Sequence, residues 1–310
     1  MYQRSRIAFL LGIAVAISLL ISACGGTSGG GNTPTTSSTL GTPGSFNCIQ
    51  GSITAGGSTA LQPLVMAVAT KYQARCSGAQ ITIQGGGSKT GLGQVEAGVF
   101  QIGNSDVFAA STQSDLVDHQ VSVVIFTLAV NPDVTGVTNL TSAQILSIYT
   151  GKTTNWSQVG GPNLPIVVVS RPTTSGTRAT FKQYVLKGTS ESPAKSTNLT
   201  ADSTTLVLQT VEQTNGAIGY VTLGAASGEG SKVVILSIDG VAPTAANTGT
   251  NMYIFWNIEH MYTKGPGTGL AQAFIDYMAS SDGMAAAAQL MFVSISQMSS
   301  SDLAAHQPTS

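Results

Sequence analysis

Three short clusters of glycine and hydroxyl residues carry the most informative chemistry in this sequence. They are Gly56-Gly-Ser-Thr59, Gly85-Gly-Gly-Ser88 and Ser175-Gly-Thr177, and each follows a strand-like run and precedes a helical pattern. Glycine lets backbone N–H groups approach a ligand, hydroxyls donate hydrogen bonds, and a helix N-terminus favours negative charge. Together the clusters predict an anion-binding site, although each one alone could be an ordinary N-cap.

Two charged residues lie at the corresponding strand ends. Arg171 follows a strand-like run over 165–170, at the edge where open α/β sheets place ligands, and its guanidinium can hold two oxygens of a tetrahedral anion. Asp106 ends the run 101–106 at the matching edge of the first half of the chain. The ordinary alternatives are an exposed loop arginine and a turn or N-cap aspartate.

Composition excludes several classes of protein. The 310 residues include 13 Lys+Arg and 14 Asp+Glu, a net charge of −1, so no basic excess would attract nucleic acid. Hydrophobic residues make up 42%, which is enough for a real core. The three histidines and three cysteines show no metal-ligand spacing, so we expect no metal and no cofactor, and we expect His119, His260 and His306 at the surface or in turns.

The N-terminus is typical of an export signal. A short basic start is followed by an uncharged run from Ile7 to Ala23, which ends in Ile-Ser-Ala-Cys24 and resembles a bacterial lipoprotein box. We therefore predict a signal peptide over 1–23, lipidation of Cys24, and a flexible Gly/Ser/Thr-rich tether over 24–47. A plain signal peptide or a short membrane anchor is the alternative.

Export also bears on the other two cysteines. With Cys24 lipidated, Cys48 and Cys76 remain as an even pair in an oxidising compartment, which favours one disulfide. Two unrelated buried thiols are the alternative.

The rest of the chain alternates strand-like and helical segments, which is typical of α/β architecture. Two long apolar stretches, 121–130 and 252–262, are interpreted as extended crossings between two lobes. On this basis the first lobe comprises 48–129 and 258–310, and the second lobe comprises 130–257. Two lobes joined by two crossings form a cleft that can close on a ligand.

Six motifs, in order along residues 49–295, resemble the PstS family, the phosphate-binding proteins of ABC importers. The Arg-x-x-x-Ser-Gly-Thr spacing is the most specific of them. The resemblance implies a two-lobed periplasmic-binding-protein fold of type II, and one departure is Tyr253-Ile-Phe-Trp-Asn257 in place of Tyr-Pro-Leu-x-Arg, which we expect to affect the hinge path more than the ligand. The motifs are Gly57-Ser-Thr-Ala-Leu, Gly85-Gly-Gly-Ser-Lys-Thr-Gly, Ile102-Gly-Asn-Ser-Asp, Gly151-Lys-Thr-Thr-Asn-Trp156, Arg171-Pro-Thr-Thr-Ser-Gly-Thr-Arg178 and Asn215-Gly-Ala-Ile-Gly-Tyr220.

The resemblance also implies a function. We expect an extracytoplasmic, lipid-anchored monomer that captures inorganic phosphate between its lobes and delivers it to the membrane permease of an ABC importer, with no enzymatic activity. Asp106 would select phosphate, because phosphate keeps a proton that a carboxylate can accept whereas sulfate has none. The residues implied to contact phosphate are Thr59, the Ala60 amide, Ser88, Asp106, Arg171, Ser175, Gly176 and Thr177, with Ser58 as a further contact.

Other functions remain as alternatives. A receptor for sulfate, tungstate or molybdate would use a similar oxyanion site. An exported serine hydrolase is suggested by Ser192-Pro-Ala-Lys195 and Lys89-Thr-Gly91, but their order is reversed and no Gly-x-Ser-x-Gly motif is present. Nucleotide binding is suggested by Tyr149-Thr-Gly-Lys-Thr153, but Leu146 occupies the position of the first P-loop glycine.

Overall fold

The computed structural model describes residues 46–193 and 198–307. The predicted signal peptide, Cys24, nearly all of the predicted tether and Lys195 lie outside these residues. Over the two described ranges, no helix has both the length and the apolar character that a membrane crossing requires.

A ten-stranded sheet forms the framework of the described chain. Short runs rich in Val, Ile and Ala form its strands, and most of them are buried, as expected where helices cover the sheet. The strands are β1 Gly51–Gly57, β2 Ala79–Gln84, β3 Ile102–Ser105, β4 Leu116–Val130, β5 Asn139–Leu140, β6 Val167–Ser170, β7 Asn198–Thr200, β8 Ala217–Thr222, β9 Val234–Ile238 and β10 Trp256–Lys264. The main path runs β2-β1-β3-β10-β4-β8-β6-β7, and β9 pairs with both β4 and β5.

Strand β4 belongs to both halves of this sheet. Its residues Leu116–Ile125 pair antiparallel with β10, whereas Phe126–Val130 pair with β8, and the last three of these also pair with β9. A second connection runs beside it, since the Phe126 amide donates to the Phe255 carbonyl at 3.0 Å and the Tyr253 hydroxyl donates to the Phe126 carbonyl at 3.0 Å. The fold is the mixed α/β, two-lobed arrangement that the sequence predicts.

Helices connect the strands and pack on the sheet. Helix α1 begins at Gln62, with Pro63 in its first turn, where a missing N–H costs nothing. Helix α4, Gly176–Thr180, is short and continues as a π-helix over Phe181–Val185. The α-helices are α1 Gln62–Arg75, α2 Ser88–Glu96, α3 Ser142–Tyr149, α4 Gly176–Thr180, α5 Thr204–Gln213, α6 Leu223–Gly228, α7 Ala245–Gly249, α8 Gly269–Met278, α9 Ser281–Gln289 and α10 Ser300–Ala305.

A disulfide ties the segment before β1 to the end of α1. Cys48 and Cys76 are joined, with their Cα atoms 5.3 Å apart, within the usual range for a bridge. The buried Tyr72 hydroxyl fastens the same segment, because it accepts from the Ile49 amide at 3.0 Å and donates to the Asn47 carbonyl at 2.8 Å.

The expectation that the three histidines lie at the surface or in turns is wrong for His260, which lies within β10, whereas His306 lies in the turn after α10 but is buried. His260 is buried, and its Nδ1 lies 2.8 Å from a carboxylate oxygen of Asp118. His306 is buried between Tyr184 and Trp256, with ring centroids 3.8 and 3.6 Å away, and burial lowers its pKa to about 3. The segment that follows α9 therefore reaches back to Tyr184, which lies in the π-helix after α4.

Replacing both bridged cysteines in Cys48→Ser/Cys76→Ser is expected to lower the free energy of unfolding by about 2–4 kcal/mol, because the cross-link restricts the unfolded chain. Urea denaturation of the mature domain measures the change. A reducing agent should destabilise the wild type to the level of the double variant and leave the double variant unchanged. Two titratable thiols in the unreduced, unfolded wild type would contradict the bridge.

Candidate functional site

The three glycine-hydroxyl clusters meet in one buried place. Ser58, Thr59 and Ala60 lie between β1 and α1, and Ser88 begins α2. Arg171 directly follows β6, and Ser175 is the N-cap of α4. The nine residues that the sequence singled out are all buried: Ser58, Thr59, Ala60, Ser88, Asp106, Arg171, Ser175, Gly176 and Thr177.

Hydrogen bonds join the two lobes directly at this place. The Arg171 Nη2 donates to Thr59 Oγ1 at 3.0 Å, and Thr177 Oγ1 donates to the Asp106 carboxylate at 2.9 Å. The Asp106 amide in turn donates to Ser88 Oγ at 2.9 Å. Two hydrogen bonds therefore cross between the lobes, one made by Arg171 and one accepted by Asp106.

Gly176 allows this close approach. A Cβ at position 176 would lie 2.2 Å from Ser88 Oγ and 2.9 Å from Asp106 Cβ, both on the other lobe. Any side chain at this position would therefore push the lobes apart.

Arg171 is the central charge of the site. Its side chain is not in an exposed loop, because the residue is only 1% exposed. Nη2 also donates to the Asp202 carbonyl at 3.2 Å, whereas Nε and Nη1 have no partner within the described chain. Burial lowers the Arg171 pKa, and the negative charge of Asp106 opposes that shift. A buried cation with two unpaired donor atoms fits an anion, since such a group is costly to bury without a partner.

Three residues that the sequence did not assign a role hold Arg171 in place. The Tyr220 hydroxyl accepts from the Arg171 amide at 3.3 Å and donates to Glu191 at 2.7 Å. The Arg178 guanidinium donates to the Arg171 carbonyl and lies 3.4 Å from the Glu191 carboxylate. Arg178 and Tyr220 belong to the motifs quoted above, whereas Glu191 follows a turn without any periodic pattern that could reveal it.

Asp106 is the acidic counterpart of Arg171. Ser58 Oγ and Thr177 Oγ1 both donate to its carboxylate. Burial raises the Asp106 pKa, while these two hydrogen bonds and the Arg171 charge act in the opposite direction. A carboxylate with two donors still has lone pairs free to accept a further proton.

Some hydroxyl groups of the site are already engaged with protein groups, whereas others keep a proton that could be donated to a ligand. Ser58 Oγ donates to Asp106 and accepts from the amides of Ala60 and Leu61 at 3.1 and 3.0 Å, so it stabilises the turn before α1 and fixes the carboxylate. Ser175 Oγ accepts from the Arg178 amide at 3.2 Å, which leaves its proton free to donate. The N-cap alternative thus describes part of what these clusters do.

The return strand β10 adds two residues that the sequence did not place in the site. Asn257 Nδ2 donates to the Asp106 carbonyl at 2.7 Å and to Thr180 Oγ1 at 3.1 Å, so the departure from the family motif at this position lies in contact with the site. Glu259 is 0% exposed, and neither carboxyl oxygen has a hydrogen-bond partner. The sequence signal that could have identified Glu259 is its position as an acidic residue inside the apolar stretch 252–262.

The described chain contains no group of three or more His, Cys, Asp or Glu side chains arranged to hold a metal ion. The site combines one guanidinium, one carboxylate and several hydroxyl and amide groups, a set suited to an oxyanion that still carries a proton.

Comparison with known proteins agrees with this chemistry. The family model for the PBP superfamily domain matches residues 33–282. The phosphate-binding protein PstS of Bacillus subtilis is 47% identical over 236 residues, which are 75% of this chain and 76% of that protein. The PstS protein of Borreliella burgdorferi is 25% identical over 74% of this chain and 85% of its own length.

Solved structures give the same result. A phosphate ABC transporter substrate-binding protein of Clostridium perfringens, solved with bound phosphate, superposes with a TM-score of 0.71 at 26% identity and covers 79% of this chain and 100% of its own. A Vibrio cholerae phosphate transport receptor, at 24% identity and a TM-score of 0.63 over 79% of this chain and 100% of its own, shares the fold. The chain belongs to the PstS family of phosphate-binding proteins, within the PBP superfamily.

Proposed function

We propose that this chain captures inorganic phosphate between its two lobes and delivers it to an ABC importer. The observation that carries the proposal is the buried Arg171, whose Nε and Nη1 lack partners in the described chain, in a cluster with Asp106 and hydroxyls from both lobes. The Bacillus subtilis and Clostridium perfringens proteins, named as phosphate-binding, support it. The protein is a substrate-binding component of transport and not an enzyme.

The proposed contacts divide the work between charge and neutral donors. Arg171 supplies the full positive charge, while Thr59, the Ala60 amide, Ser88, Ser175, Gly176 and Thr177 supply neutral donors. Several such bonds suffice for micromolar binding, about −8 kcal/mol, because each hydrogen bond to a charged group contributes about 1.5–3 kcal/mol. This explains how a chain with a net charge of −1 can bind an anion.

Asp106 is proposed to select phosphate over other oxyanions. Its carboxylate accepts the proton that phosphate retains near neutral pH, and fully ionised sulfate would leave that carboxylate without a donor and against a like charge. The same argument makes a sulfate, tungstate or molybdate receptor the less favoured candidate.

The location follows from the N-terminal sequence. The protein is proposed to act outside the cytoplasm as a monomer, held at the membrane by a lipid on Cys24 and by the tether over 24–47, with a membrane permease as its partner. The lipoprotein box in the sequence supports the anchor.

Arg171→Ala is expected to weaken phosphate binding by at least about 100-fold, because it removes the charged donors of the site. Isothermal titration calorimetry on phosphate-free protein measures the loss, with circular dichroism to verify folding. Arg75→Ala is the matched control, since Arg75 is an exposed cation paired with Asp282. Wild-type affinity in Arg171→Ala would refute the assignment of Arg171.

Asp106→Asn is expected to reduce the ratio of phosphate to sulfate affinity by about tenfold or more, because the amide can donate to a sulfate oxygen and no longer carries the repelling charge. Competition titrations with the two anions at neutral pH measure the ratio. The same preference in variant and wild type would exclude Asp106 as the selecting residue.

Gly176→Ala is expected to weaken phosphate binding by about tenfold or more and to reduce compaction on binding, because its Cβ would clash with Ser88 across the lobes. Calorimetry and small-angle X-ray scattering measure the two effects. Gly93→Ala is the control, because a Cβ there meets nothing within 4 Å. Full closure of Gly176→Ala with unchanged affinity would show that the lobes do not meet at this position.

A further inference from the structure

Glu259 is a fully buried carboxyl group for which the contacts described so far give no role. It lies in β10, where it pairs with Ser122 of β4. On the other side, the antiparallel pairing of β10 with β3 ends at His260 and Ser105, so Glu259 and Asp106 are the next residues of the two segments. Their carboxyl groups interact, since each acts on the pKa of the other.

No described cation compensates Glu259. Strand β4 presents Ser122, an uncharged residue whose Oγ also lacks a partner. Strand β3 presents Asp106, the ionisable group that acts on Glu259, whereas the Arg171 charge acts on Asp106. His260 is the next residue in β10, after a shift in the register with β4, and its Nδ1 lies 2.8 Å from Asp118.

Two adjacent buried carboxyl groups cannot both ionise cheaply when the one nearby cation, Arg171, acts on Asp106 and not on Glu259. Burial is the main reason that the Glu259 pKa lies well above its ordinary value, and its interaction with Asp106 raises it further. The same interaction lowers the pKa of Asp106, which also accepts hydrogen bonds from Ser58 and Thr177. The single proton of the pair therefore belongs on Glu259.

We propose that Glu259 is a positioning residue whose protonated carboxyl donates a hydrogen bond to Asp106 and keeps Asp106 ionised as the acceptor of the phosphate proton. This inference rests on the proposed function. The pair then carries one proton and one negative charge. When the pH rises far enough to ionise Glu259, the proton leaves to solvent, a second negative charge enters the site, and phosphate affinity falls.

Two variants separate proton donation from simple packing. In Glu259→Gln the amide still donates to Asp106 but cannot ionise. In Glu259→Leu the donor is lost, so the pKa of Asp106 rises, and a protonated Asp106 can donate to sulfate. Glu259→Gln should therefore keep the preference for phosphate over sulfate that Glu259→Leu loses.

Calorimetric titration with phosphate and with sulfate tests this from about pH 5 to about pH 9. We expect the phosphate-to-sulfate ratio to fall by about tenfold in Glu259→Leu, most strongly at low pH, and to stay within about threefold of wild type in Glu259→Gln. The loss of phosphate affinity at high pH should be smaller in Glu259→Gln than in wild type. At each pH, dividing the phosphate affinity of Glu259→Gln by the phosphate affinity of wild type cancels the titration of phosphate itself. Equal losses in both variants, or identical pH profiles in wild type and Glu259→Gln, would overturn the proposal.

A ligand-free measurement separates this inference from the proposed function. An acid with a raised pKa in the folded state contributes stability at low pH that is lost as the pH rises above its ordinary value of 4.5 towards the folded-state pKa. The melting temperature of phosphate-free wild type should therefore fall more with rising pH than that of Glu259→Gln. Glu96→Gln, at an exposed glutamate, should follow the wild type.

The two failures give different results. Phosphate binding by the wild type, together with equal melting profiles for wild type and Glu259→Gln, would refute the role of Glu259 alone. Absence of phosphate binding, with the difference in melting profiles retained, would refute the proposed function and with it the role of Glu259 in selectivity, while supporting the buried proton.

Discussion

The structure depends on a buried guanidinium and a buried carboxylate that come from opposite lobes, and each is hydrogen-bonded to a hydroxyl group of the other lobe. Arg171 bonds to Thr59 of the first lobe, and Asp106 accepts from Thr177 of the second. Neither charge is solvated, so each must be satisfied by protein groups or by a ligand. The cost of leaving them unsatisfied explains why the surrounding loops supply so many neutral donors.

This constraint accounts for the local sequence of the clusters. Gly176 permits contact between the lobes, Ser58 fixes Asp106 while stabilising the turn before α1, and Ser175 caps α4 while keeping a proton to donate. Arg178, Tyr220 and Glu191 then hold the backbone of Arg171. Ser175 thus starts a helix and also belongs to the cluster, which is why the N-cap and binding explanations are compatible at this residue.

The sequence was sufficient to predict the α/β class, the two-lobed fold and the meeting of three distant clusters, because strand ends and helix starts have local signals. Asn257 and Glu259 were not predicted, because their roles depend on the pairing of β10 with strands that lie more than a hundred positions earlier in the chain. The burial of His306 was missed for a similar reason, since its partners Tyr184 and Trp256 are distant in sequence. Local patterns identify groups that start or end an element, whereas buried polar pairs across a sheet depend on tertiary register.

The continuity of β4 has a mechanical consequence. One half of the strand is hydrogen-bonded to β10 and the other half to β8 and β9, with the change between Ile125 and Phe126. Relative movement of the lobes must therefore twist a bonded ribbon and cannot be a free rotation about a loop. We expect such a joint to allow only a small change of angle between the lobes and to resist larger rotations.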